Sequence, residues 1–372
     1  MSEPQGLHTK EFTLNVGPIH PSTHGVCRFV VKMEGEVITE LTPVIGYLHR
    51  ALEKICENRT YEQIIPVTDR FEYCTAMSCN MAFSLATEKL AGIEVPERAE
   101  YLRVIMLELN RIASHLIWFG TTALDLGALT PFLYGFRERE DILDLFEMTC
   151  GQRLTFNYIR PGGVSKDIPP EFIPKCREFL DGFNTKIDDY EKVLTGNPIF
   201  ITRNKNVGIM PPDVGIAYAV SGPALRASGV KHDLRRDDPY SIYDRFEFDL
   251  PTGETGDCYD RYLVRIQEMR ESAKIVRQAI EQIPEGEIRG KFNKMNFKPP
   301  AGEVYSRIEN SRGEMGIYIQ AAEKQKKPLR VKMRGGSYNQ LQVMPVICKG
   351  AKIADLVAIM ASMDIIMPDV DR

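Results

Sequence analysis

The sequence predicts an α+β fold, a central helical bundle set between β-rich N- and C-terminal regions. Three observations carry this. Short runs of β-forming residues cluster over 12–41 and return from Glu303 onward. Between them, apolar residues recur at helical spacing and nearly encircle several long segments, the pattern of helices buried in a bundle. With 372 residues, the chain can bury a large core. The expected division is an N-terminal β region over 1–45, a helical core over 46–200, and an α+β region over 201–372 packed on that core.

Taken in order, strands over 12–16 and 27–33 lead through the Glu34-Gly35 turn into a third over 37–41. Leu48, Leu52 and Ile55 share a helical face and predict a helix over 49–57. Thr68-Asp69 reads as an N-cap for a helix over 70–91. Pro96 opens a long helix carrying Leu102, Ile105, Leu109, Ile112 and Leu116. Another helix runs over 131–152, and an amphipathic one over 171–194 follows a Gly- and Pro-containing loop. Residues 200–250 read as irregular, and a long helix follows over 257–282. Strands over 316–320 and 329–333 precede a helix over 354–363, and the two terminal regions are expected to meet.

Composition narrows the function. A net charge of −4 gives no basic field for nucleic acid, and the first ten residues lack the pattern of a targeting peptide. No apolar run is long enough to span a bilayer, so the expectation is a soluble chain, or one held at a membrane by partners. The eight cysteines show no Cys-x-x-Cys spacing. Reduced thiols are expected, with no disulfide framework and no zinc or iron–sulfur cluster bound by this chain alone.

Two of the six histidines, His20 and His24, lie on a turn punctuated by Gly17, Pro18, Pro21 and Gly25. Prolines fix φ there and glycines admit close backbone approach, so an imidazole can be held in one place for proton chemistry or metal binding. The plainer alternative is a stiff turn whose imidazoles bond local backbone. Arg70 and Tyr73, in Thr68-Asp69-Arg70-Phe71-Glu72-Tyr73, could supply charge and a proton to a developing oxyanion. The alternative is a helix start with a packed aromatic. Asp125 is an isolated carboxylate in an apolar setting and is either paired, capping or functional. His115 reads as a hydrogen-bonded core residue. Nucleotide-binding glycine loops and nucleophile elbows are absent from the sequence.

Together these segments resemble the 49-kDa-type (D-type) subunits of respiratory complex I, including their archaeal deazaflavin-dependent relatives. The matching stretches are 15–26, 45–61, 69–73, 101–140, 158–164, 225–230, 256–272 and 353–372, nearly the whole length in order. The resemblance implies a fold like that of the nickel–iron hydrogenase large subunit, with the ancestral metal pocket turned into a quinone headgroup site. The ancestral cysteine pairs would fall around 70–75, where Cys74 stands without a Cys-x-x-Cys partner, and at 364–369, where Ile366 and Asp369 stand instead. Without soft thiolates at both places, no metal site is expected.

By the same resemblance His24 and Tyr73 hydrogen-bond the quinone, and Asp125 couples to that histidine. Arg50 and Arg70 lie near a 4Fe-4S cluster held by the adjacent subunit. The implied function is that of the quinone-site subunit of a proton-translocating oxidoreductase, with NADH as donor. The alternatives are the same role with reduced deazaflavin as donor and methanophenazine as acceptor, and a non-catalytic scaffold. The implied partners are the iron–sulfur subunit, other peripheral-arm subunits and a membrane-arm subunit, which would place the chain on the cytoplasmic side of the cell membrane.

Two departures stand out. Thr155 replaces a histidine that many family members place near the cluster, and the stretch before Gly302 lacks a further helical segment. The second raises the weight of the deazaflavin relatives. The first removes a titratable neighbour, so the cluster's potential is expected to vary little with pH. Redox titration of the assembled complex at several pH values checks this, and a steep proton-linked slope refutes it.

Overall fold

The computed structural model describes residues 10–20, 23, 25–292 and 296–372. Strands β1 (Glu11–Val16), β2 (Arg28–Glu34) and β3 (Val37–Val44) form an antiparallel meander. In β2, Phe29, Val31 and Met33 face inward, alternating with more exposed neighbours, the period of a half-buried strand.

Helix α1 (Leu52–Glu57) starts three residues later than the sequence predicts. The segment before it is held by the C-terminal region instead. The Asp371 carboxylate accepts from the Gly46 and Leu48 amides at 2.8 and 2.7 Å, and His49 Nδ1 lies 2.7 Å from the Asp371 carbonyl.

Helix α2 (Tyr61–Thr68) corrects the expected N-cap at Thr68-Asp69, because these residues end a helix rather than begin one. The Thr68 hydroxyl donates back to Ile65 O at 2.8 Å, and Asp69 is engaged from outside by Asn80 and Asn157. A 3-10 turn over Tyr73–Thr75, capped by the buried Glu72 carboxylate, then leads into α3 (Ala76–Ala91).

Helices α4 (Glu97–Asp125) and α5 (Leu129–Cys150) pack closely. A Cβ at Gly135 would come within 2.9 Å of Leu116 O, so glycine permits the crossing. The short pair β4 (Ile159–Arg160) and β5 (Gly163–Val164) precedes α6 (Phe172–Tyr190), which ends in one π turn over Glu191–Thr195.

Four short helices, α7 (Pro198–Asn204), α8 (Pro212–Ala217), α9 (Gly222–Ala227) and α10 (Leu234–Asp237), occupy the stretch read as irregular. Helix α11 (Cys258–Gln282) follows, and the Asp257 carboxylate accepts from the Asp260 amide at its start. A second meander, β6 (Gly302–Asn310), β7 (Gly313–Ala321) and β8 (Arg330–Arg334), leads to α12 (Gly336–Ile347), α13 (Ile353–Met363) and α14 (Met367–Asp371). Helix α12 escapes sequence reasoning because it begins on Gly335-Gly336 and contains Pro345.

The observed class is α+β, as the sequence predicts. Two apolar clusters form the core. The larger joins α3, α4, α5, α6 and α11 to the second meander, and the smaller joins β2 and β3 to α12–α14. The terminal regions do meet: Ile38 exchanges backbone bonds with Ala351 and Gly350 at 2.9 and 2.8 Å. All eight cysteines are free, and only Cys150 is not fully buried. No helix among the described residues is long and apolar enough to cross a membrane. Replacing Asp371 by Ala strips the Gly46 and Leu48 amides of their acceptor. It is expected to cost about 1–3 kcal/mol, read as a lowered thermal midpoint.

Candidate functional site

The turn carrying the paired histidines packs on the C-terminal helices. Gly17 sits at φ 87°, where a Cβ would lie 2.0 Å from Cys27 O, and a Cβ on Gly25 would press on Met367 at 3.0 Å. Both glycines are thus required by close approach, as their placement in the sequence suggests. Thr23 is buried, with its hydroxyl 2.7 Å from both His20 O and Gly25 O. His20 is exposed beside an apolar hollow of about 200 Å³ formed with Leu14, Val16, Leu356 and Met360. His24 lies outside the described residues.

Arg50 and Arg70 are both exposed and line one open groove of about 480 Å³, with Leu48, Leu52, Ile55, Pro66, Val67 and Pro368. The sequence separates them by twenty positions, and the junction of α1 with α2 brings them to one surface. Arg70 donates to the Pro66 carbonyl, and its guanidinium lies 3.9 Å from the Asp69 carboxylate.

Three residues on, Tyr73 opens the 3-10 turn and remains 37% exposed. Partial burial pushes its phenol up to about 12, so it is a protonated donor at neutral pH. Among the described residues no group hydrogen-bonds that hydroxyl. The turn itself is firmly held. Asn110 of α4 donates to Cys74 O at 3.0 Å, and Glu72 accepts from the Thr75 amide at 3.2 Å.

Burial also pushes the Cys74 thiol up to about 12, so it is no ready thiolate ligand. Asp369, in the other segment that the resemblance singles out, accepts from the Ser337 amide at 2.9 Å and fills the space beside Gly335, where a Cβ would collide with it. Among the described residues no group of three or more His, Cys, Asp or Glu side chains is placed to hold a metal ion.

Asp125 is the last residue of α4 and is half-buried. The histidine to which the resemblance couples it, His24, lies outside the described residues. At 1.5 Å per residue, Asp125 lies about 22 Å along α4 from Asn110, the helix residue that donates to Cys74 O in the tyrosine turn.

Sequence reasoning missed the group that ties this region together. Arg312, at the tip of the β6–β7 hairpin, bridges Glu72 and Asp364, each at 2.9 Å. Burial opposes its charge, but the carboxylates of Asp364 and Glu72 outweigh burial and raise its pKa. Asn310-Ser311-Arg312-Gly313 reads as a polar hairpin tip bound for solvent; here the core engulfs it.

The loop carrying Thr155 brings in a group the sequence does not pair with it. Thr155 and Asn157 both adopt positive φ, and the Asn157 amide donates to Asp69 Oδ2 at 3.2 Å. Burial raises Asp69 to about 7, with Asn80 and Arg70 partly opposing it. A titratable group therefore stands against this loop, in competition with the pH-insensitivity expected from Thr155. A carboxyl raised in the folded state favours folding fully only below its unfolded pKa near 4, and that contribution is lost as pH rises toward 7. Asp69→Asn is therefore expected to gain stability relative to the parent between about pH 4 and 7, measured by thermal melting across that range.

A family model described as the 49 Kd subunit of respiratory-chain NADH dehydrogenase matches residues 125–372. A protein of Dehalococcoides mccartyi, named as the D subunit of NADH-quinone oxidoreductase, is 54% identical over 98% of this chain and all of its own length. A protein of the same name from Bacillus anthracis is 52% identical, again over 98% of this chain and its entire length. On this similarity over nearly its whole length, the chain belongs to the 49-kDa subunit family of respiratory-chain NADH dehydrogenase.

Proposed function

We propose that this chain forms the acceptor site of an ion-translocating NADH:quinone oxidoreductase, taking electrons from a 4Fe-4S cluster in an adjacent subunit and passing them to a membrane quinone. The observation that carries this reading is Tyr73, a half-exposed phenol raised to about 12 on a turn anchored in the core. Two-electron reduction of a quinone builds negative charge on two oxygens, each of which needs a donor. Tyr73 donates to one of them. His24 serves the other and delivers a proton, and Asp125 answers the histidine's change of charge and passes it toward the membrane arm.

Arg50 and Arg70 favour the electron-rich cluster through their positive charge, and the open groove they share receives the iron–sulfur partner. Other peripheral-arm subunits and a membrane-arm subunit complete the assembly, with the chain held peripherally on the cytoplasmic side.

NADH is the preferred donor. The short stretch before Gly302 argued for a deazaflavin relative. Yet the relatives named for NADH are covered over their whole length by 366 or 367 aligned residues, so that shortness does not separate the two. Replacing Tyr73 by Phe leaves the ring and removes the donor. Assembly is expected to persist while acceptor turnover falls on the order of 10²-fold. Unchanged NADH:quinone turnover in membranes carrying this variant would establish the scaffold reading instead.

A further inference from the structure

The Tyr73 phenol has no hydrogen bond of its own among the described residues, so the anchorage of the turn that carries it bears on where it sits. That anchorage converges on Arg312. Nη1 of Arg312 donates to Glu72 Oε1 at 2.9 Å, to Ser114 Oγ at 2.9 Å and to Ser311 Oγ at 3.1 Å. Nη2 donates to Asp364 Oδ1 at 2.9 Å, and Nε donates to the Asp364 carbonyl at 2.9 Å.

One guanidinium thus grips the residue preceding Tyr73, the middle of α4, and the residue that ends α13. Asp364 holds a left-handed φ of 58° to face it, an uncommon conformation for a residue with a Cβ. Its Oδ2 is buried with no hydrogen-bond partner among the described residues. Glu72 uses its other oxygen to accept from Asn310 Nδ2 at 2.8 Å.

We infer that Arg312 is a positioning residue for Tyr73, cross-linking the tyrosine turn to the 364–369 segment and so fixing where the phenol meets the acceptor. The inference rests on the acceptor-site reading of Tyr73. Fold stability alone is a poor reason for this arrangement, since buried ion pairs are commonly replaced by apolar residues without loss. What an apolar replacement cannot do is set the distance between two segments by a rigid, multiply bonded fork. Lysine, a point charge, reaches one carboxylate or the other.

The test is a double-mutant cycle in the assembled, membrane-bound complex, with a short-chain quinone as acceptor. Arg312→Lys is expected to lower quinone kcat/KM about tenfold or more, as displacement of a positioned group does. NADH:ferricyanide activity, read at the donor end, should remain unchanged. In the Tyr73→Phe background the same substitution should have less than about a twofold effect, because its target is gone. Equal effects in both backgrounds overturn the inference and leave Arg312 a structural residue.

If Arg312→Lys does not assemble, Asp364→Asn takes its place in the cycle, since it keeps the side-chain volume and one acceptor. Failure of both to assemble also assigns the cluster to folding and overturns the inference. A Tyr73→Phe protein with normal turnover overturns the acceptor-site reading itself, an outcome distinct from additivity.

Discussion

The interior of this protein depends on a hairpin tip that ought to be outside. Glu309 and Asn310 end β6, and Ser311 and Arg312 join it to β7, yet each of the four is at most 3% exposed. Their charges are met by residues from widely separated elements. Arg226 of α9 binds Glu309 at 2.9 Å and Glu268 of α11 at 2.7 Å; Arg235 of α10 binds Glu108 of α4 at 3.0 Å and Asp233 at 2.7 Å. Burial opposes ionisation of Asp233, but Arg235 and Arg226 hold it down to about 2. Burial likewise opposes Glu268, and Arg226 and His115 keep its pKa low. Such a network gives little net stability against an apolar core. It does dictate a single arrangement of the helices around it, because any slip leaves a charge unpaired.

His115 shows the same constraint at one residue. Fully buried on α4, it lies with Nε2 3.0 Å from Glu268, and burial lowers its pKa so that it is neutral near pH 7. Its Nδ1 has no hydrogen-bond partner among the described residues, which is tolerable for a neutral ring whose proton sits on Nε2. The sequence reading of a hydrogen-bonded core histidine holds. The long helices were equally legible, since α4, α5, α6 and α11 all follow from apolar periodicity, Pro96 and the Asp257 cap.

What could not be read was whatever depends on distant partners. Thr68-Asp69 has the composition of a helix start, and only Asn80 and Asn157 reveal that Asp69 is spoken for at a helix end. Arg312 sits in a sequence that any local rule assigns to solvent. Tyr73 and Arg70 were visible as a donor and a charge beside one another. That Arg50 shares a groove with Arg70 follows from the packing of α1 against α2, which local propensity does not encode. The resemblance to a known family located candidate residues; the structure shows what holds the turn of Tyr73 and what Arg70 touches. Asp125 illustrates the limit, since it ends α4 while the histidine the resemblance couples to it lies outside the described residues.

The bond from Asp371 to Gly46 spans 325 positions. During synthesis the segment flanking Arg50 therefore stays unanchored until almost all of this sequence has been made, and the Arg50–Arg70 groove is among the last surfaces to take shape. Contacts of such long sequence separation form slowly. The groove is lined on one side by Pro368, so it is completed only once the helical core and the second meander have already been made.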